Sequence, residues 1–85
     1  MRHDARRDVN EPEIVRALEA VGATVKRLHW CDLLVGYRGR NYLIEVKTPD
    51  GRLTVEQKAI EQEWRGQYTI ARTVNDALQT IGAIA

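Results

Sequence analysis

The chain has 85 residues, 13 Lys and Arg against 12 Asp and Glu, and a formal net charge of +1. That length makes one small domain whose core buries only roughly 60% of the extended surface and is marginal alone. One cysteine excludes an intrachain disulfide, no Cys/His cluster offers a structural zinc, and no apolar run approaches the roughly 18 residues of a membrane span. Association between copies is the remaining route to added stability, so size predicts a homodimer. The free thiol of Cys31 fits a reducing, intracellular setting.

Residues 1–9 are polar and charged, carry Arg2, Arg6 and Arg7, and read as a flexible basic arm. No apolar stretch follows these arginines, so the arm is not a secretory signal. A single domain is expected over residues 10–85. Asn10 opens its first helix as N-cap, with Pro12 in the first turn and Glu13 in capping-box position. Ile14, Val15, Leu18 and Val21 share one helical face, and Gly22 supplies the stop.

Three strands follow. Residues 23–28 alternate loosely, and 31–37 form a nearly continuous apolar run around Asp32, as in a strand buried on both faces. Arg38-Gly39-Arg40-Asn41 reads as a tight turn, and 42–48 returns as the third strand. Pro49-Asp50-Gly51 is a turn signature. A second helix is predicted over 54–65, with Thr54 as cap, Gln57 three residues later, and Ile60 and Trp64 on its inner face. Gly66 ends it. Residues 68–74 form a fourth strand, and 75–81 a closing helix with Ala77, Leu78 and Ile81 inward. The order αβββαβα, with no repeat or linker, indicates one α/β layer structure with a mixed sheet flanked by helices.

The chemistry centres on Ile44-Glu45-Val46-Lys47. Alternation in a strand puts Glu45 and Lys47 on one face and sends Ile44 and Val46 to the core. Alone, an acid and a lysine two apart are a weak signal, better explained by an ion pair on an exposed strand. Asp32 changes the weight of the pattern. If the second and third strands pair around the turn at 38–41, Asp32 and Glu45 meet at the end away from it. Two carboxylates in an apolar sheet repel, and a divalent cation resolves the conflict, since Mg²⁺ takes one or two carboxylates plus water and phosphate oxygens. Lys47 then stands beside the metal to orient a water, and Glu13 can reach the same cation directly or through water. Gln57 is a candidate for the site, although Thr54-x-x-Gln57 is also a capping box. Asp50 reads as part of a turn, and His29 and Cys31 as packing residues near the start of the strand.

Taken in order and spacing, Asn10-Glu11-Pro12-Glu13-Ile14-Val15, Asp32-Leu33-Leu34-Val35-Gly36, Tyr42-Leu43-Ile44-Glu45-Val46-Lys47, Leu53-Thr54-Val55-Glu56-Gln57 and Trp64-Arg65-Gly66 resemble the VRR-NUC domain. That domain is a branch of the PD-(D/E)xK nuclease superfamily, and the chain resembles its short stand-alone phage and bacterial members from Asn10 onward. The resemblance implies a minimal restriction-endonuclease-like core. It makes Asp32 and Glu45 metal ligands with the Val46 backbone carbonyl as a third, and Lys47 the catalytic lysine. Glu13 becomes the helical acid, with Glu11 as second choice, and Gln57 the supporting glutamine. Where the family usually has proline before the aspartate, this chain has Cys31; that proline shapes the strand start and does no chemistry.

The resemblance further implies a homodimer that cuts four-way (Holliday) DNA junctions with Mg²⁺ or Mn²⁺, inside a bacterial or phage-infected host cell. Two-fold symmetry in the protein matches the two symmetry-related phosphodiesters of a junction. Arg2, Arg6 and Arg7 of the arm and Arg38 and Arg40 of the turn are the candidate phosphate contacts, which position a substrate without reading sequence. Two alternatives remain open at this level: a nuclease acting on flaps, ends or duplex DNA, and a catalytically inactive nucleic-acid-binding module of the same fold.

Overall fold

A computed structural model describes residues 8–85; Arg2, Arg6 and Arg7 of the expected arm lie outside the described residues. Helix α1 (Glu11–Ala20) leads into strands β1 (Thr24–Arg27), β2 (Leu33–Tyr37) and β3 (Arg40–Val46), followed by helix α2 (Val55–Glu63), strand β4 (Thr69–Ala71) and helix α3 (Val74–Thr80). The strands form one sheet in the order β1-β2-β3-β4, antiparallel except for the parallel pair β3–β4. The α/β class, the element order and the mixed sheet agree with the sequence reading.

The β2–β3 hairpin sets the register of the sheet. Tyr37 pairs with Arg40, leaving Arg38 and Gly39 as a two-residue turn, both at positive φ (50° and 80°). That conformation matches the right-handed twist of the flanking strands. The turn is therefore one residue pair tighter than the four-residue segment expected. Glycine adopts positive φ freely and arginine does not, although the Arg38 guanidinium is partly compensated by lying 5.0 Å over the Tyr37 ring. Arg38→Asn, which tolerates this region, is expected to stabilise the protein by up to about 1 kcal/mol. A urea midpoint that falls with the substitution would show that the Tyr37 contact outweighs the strain.

The apolar face of the sheet carries Leu33, Val35, Ile44, Val46 and Ala71, packed against Ile14, Val15 and Leu18 of α1 and Ala77 and Ile81 near α3. At the end of α1, Gly22 at φ +96° reverses the chain as expected. The start of α1 differs from the capping box predicted there. Asn10 has helical backbone angles (φ −86°, ψ −2°) and makes no side-chain cap hydrogen bond, whereas a cap requires extended geometry. Its side chain works across the fold instead: Nδ2 donates to the carbonyls of Lys47 and Arg72, both at 3.1 Å.

The opposite face of the sheet is covered less completely. Its residues Leu34, Leu43 and Ile70 are half-buried, and α2 buries none of its own side chains fully. The Thr54–Gln57 capping box does form, with both reciprocal bonds present. Trp64, expected on the inner face of the helix, is its C-cap and remains 45% exposed. Beyond the short β4, the Gln67 side chain continues the edge of β3: its Oε1 accepts from the Leu43 N–H at 2.6 Å and its Nε2 donates to the Leu43 carbonyl at 2.8 Å. Among the described residues no helix is long and apolar enough to cross a membrane.

Candidate active site

Asp32 lies one residue before β2, not inside it as the apolar run suggested. The cause is a side-chain substitution in the ladder. The N–H groups of Leu43 and Lys47 are used on the β4 side of β3, so alternation turns the N–H of Val46 toward β2. There it donates to Asp32 Oδ2 at 2.8 Å, where a backbone carbonyl would otherwise stand. The register pairs Leu33 with Ile44, and one further step puts Asp32 opposite Glu45 on the same face.

Both carboxylates are nearly sealed, Asp32 at 2% and Glu45 at 1% exposure. Glu45 is held from two sides: the Gln57 amide donates to Oε2 at 2.7 Å and the Tyr68 hydroxyl to Oε1 at 3.3 Å. Gln57 therefore serves both the cap and the site, because a helix pinned by its first turn aims that amide at the sheet. Lys47 follows on the face of Glu45 by alternation and is half-buried. Its backbone is clamped between Ala71, whose carbonyl accepts its N–H at 3.0 Å, and Asn10, which donates to its carbonyl. Arg72 fastens the loop that follows, Nη1 donating to the carbonyls of Thr48 at 2.9 Å and Gly51 at 2.7 Å.

The surroundings register this concentration of negative charge. Burial, then the charge of Glu45, pushes the Cys31 thiol up to about 12. The same two causes raise the Tyr68 hydroxyl well above its ordinary range, so it remains a neutral donor to Glu45. Cys31 itself is fully buried, with Sγ 3.5 Å from the Ile44 carbonyl. In that position it fills core space and is closed to crosslinking between folded copies.

The remaining sequence candidates are placed as follows. Val46 sits between Glu45 and Lys47 with its side chain in the core. Glu13 is exposed and lines a separate cleft with Ile14, Pro49, Arg72, Val74 and Asn75, so it is not gathered with Asp32 and Glu45. The buried acid of α1 is Glu11, 1% exposed, whose Oε2 accepts from Arg27 Nε at 2.8 Å. Helical spacing could have found it, since Glu11 lies three and four residues before Ile14 and Val15. Arg40 is at the far end of the hairpin, roughly 17 Å from Glu45 at about 3.4 Å per residue, and Arg38 lies beyond it in the turn. Tyr68 was missed because its role depends on the chain returning past α2, which leaves no local pattern.

Among the described residues no group of three or more His, Cys, Asp or Glu is arranged to hold a metal ion. The acids that the hairpin places opposite each other are a pair, Asp32 and Glu45. Such a pair suits a hard cation that keeps water and phosphate oxygens in its remaining positions, as Mg²⁺ does, and does not suit an all-protein cage. Set against known families, characterised proteins and solved structures, the chain matches none.

Proposed function

We propose that the chain is a metal-dependent DNA endonuclease of the restriction-endonuclease-like, VRR-NUC type, acting on four-way junctions as a homodimer. The observation that carries the reading is the placement of Asp32 opposite Glu45 across a paired hairpin, with Lys47 next on the same face and Gln57 bonded to Glu45. An interaction of surface charges has no need of two carboxylates buried this deeply, for burial penalises their charged forms. Support for a second copy is the small core and the half-covered sheet face.

Asp32 and Glu45 would hold Mg²⁺ or Mn²⁺, which when bound activates water and stabilises charge on the scissile phosphate. Gln57 and Tyr68 fix the orientation of the Glu45 carboxylate. The Lys47 ammonium donates to the attacking water or to a phosphate oxygen, and its clamped backbone limits where that charge can go. The bond formed joins water oxygen to phosphorus, and the bond broken releases a sugar oxygen.

The test is cleavage of an end-labelled immobile four-way junction beside matched linear duplex and flap DNA, with Mg²⁺, Mn²⁺, Ca²⁺ or chelator. Paired symmetric cuts on the junction, lost with chelator, are expected. Equal cutting of all substrates would retain the nuclease and remove the junction preference; no metal-dependent cutting by folded protein would remove the enzyme.

Tyr68→Phe removes one hydrogen bond to Glu45 and keeps the ring. Its cleavage rate is expected to fall up to about tenfold, the scale of one net hydrogen bond, and its melting temperature by about 4–8 °C, the shift that about 1 kcal/mol produces in a chain of this size. Gln57→Ala should do both, slowing cleavage and costing about 1 kcal/mol of stability through the lost acceptor for the Thr54 N–H. Equal rates for wild type and both variants would show that Glu45 needs no positioning.

A further inference from the structure

Trp30 and Trp64 are the only two tryptophans of the chain, and they meet each other far apart in sequence with ring centroids 5.4 Å apart and planes tilted by 38°. Neither belongs to the core. They remain 48% and 45% exposed, an unusual outlay of large apolar surface for a domain this short of core material. The pair is tied to the acidic centre along the chain: Trp30 is two residues before Asp32, and Trp64 is the C-cap of the helix whose first turn carries Gln57, roughly 10 Å away along the axis at about 1.5 Å per residue. The Trp64 ring also lies close over Gly66, where a Cβ would come within 3.1 Å of its Nε1, so its position is defined from below.

A simple latch holding α2 to the β1–β2 loop accounts for the contact between the rings but not for the open halves of both. Exposed indole faces next to a phosphodiester-cutting centre are suited to an unpaired nucleobase, because every base offers a π face and stacking needs no sequence. The chain neighbours are mixed in charge: exposed His29 and Arg65 can meet a phosphate, while exposed Glu63 opposes it. Binding by charge alone is therefore weak here, and stacking supplies the attraction.

We propose that Trp30 and Trp64 form a stacking platform for an unpaired base of the DNA substrate, next to the cleavage centre. This rests on the nuclease reading and gives it a means of favouring branched or frayed DNA, whose bases are open, over intact duplex.

Because no other tryptophan contributes, intrinsic fluorescence reports on this pair alone. Wild-type protein in chelator would be titrated with oligothymidylate, with an abasic strand of equal length, and with blunt duplex. Trp30→Leu, Trp30→Phe and a parallel cleavage assay in Mg²⁺ complete the set, and near-UV circular dichroism checks the fold of each variant. Quenching by oligothymidylate that the abasic strand does not reproduce is expected, with about tenfold or more weaker binding in Trp30→Leu and recovery in Trp30→Phe. Equal quenching by the abasic strand, or unchanged affinity in folded Trp30→Leu, overturns the platform and leaves the pair as a latch. If the wild type cuts DNA without base-dependent quenching, the platform falls and the nuclease stands. Base-dependent quenching without cutting in any metal keeps the platform and overturns the nuclease.

Discussion

Lys47→Ala is expected to lower the rate of DNA cleavage by about 10²–10³-fold, the range for losing one positioned donor aimed at developing charge, with substrate affinity little changed. The separation is possible because Lys47 is anchored by its backbone. Its N–H goes to Ala71 and its carbonyl receives Asn10, and neither bond involves the side chain that alanine removes. Asp32→Asn should act differently. It conserves the size of the side chain and an acceptor for the Val46 N–H, yet removes one of the two negative charges a cation needs. Wild-type protein is expected to gain about 2.7 kcal/mol of stability at a hundredfold excess of Mn²⁺ over its dissociation constant, and Asp32→Asn to gain little. Thermal melts with and without Mn²⁺, run beside single-turnover cleavage, read both effects. Wild-type rates in Lys47→Ala would remove the lysine from the chemistry; identical Mn²⁺ responses in wild type and Asp32→Asn would remove the metal site.

Ile44→Ala is expected to cost about 2–5 kcal/mol, by lost transfer energy and the cavity left behind. Ile44 is fully buried in β3, paired with Leu33 on one side and Thr69 on the other, so the strands cannot close over the vacancy without breaking register. A chain of this length commands a total stability of only about 4–13 kcal/mol, so the loss takes a large share of it and raises the unfolded fraction by more than tenfold. Cys31 provides the readout. Its sulfur lies against the Ile44 carbonyl and is inaccessible in the fold, so a thiol reagent labels it only on opening. Faster labelling and a lower urea midpoint should appear together in Ile44→Ala. A variant with an unchanged midpoint would mean that the core repacks around the loss.

What was legible in the sequence was whatever depends on near neighbours. Gly39 and the apolar runs around it make the hairpin readable, and with it the meeting of Asp32 and Glu45 at the end away from the turn; the register is not, since a four-residue turn at 38–41 counts out to Asp32 opposite Lys47 and the two-residue turn to Asp32 opposite Glu45. The Thr54–Gln57 cap was readable for the same reason, being closed within three residues. Asn10 shows the limit. It has the composition of an N-cap, and only the arrival of β3 and β4 beside it makes two distant carbonyls better partners than its own helix. The resemblance makes Glu13 the helical acid before Glu11, whereas the fold leaves Glu13 exposed and buries Glu11, in keeping with its spacing to Ile14 and Val15. Trp64 was assigned inward because period alone does not distinguish the last turn of a helix from its cap. Arg72 and Tyr68 belong to the same group as Asn10: each gains its role from a segment more than 20 residues away.

The Gln67 amide bears on the behaviour of the protein at high concentration. Strand β4 is three residues long, so among the described residues the first half of β3 has no strand on its β4 side, and Leu43 there would present a bare N–H and carbonyl to any passing strand. Gln67 satisfies both with one side chain shaped like a peptide unit. Closing the edge at Leu43 shortens the template it offers for edge-to-edge pairing, at the cost of one residue and no added strand.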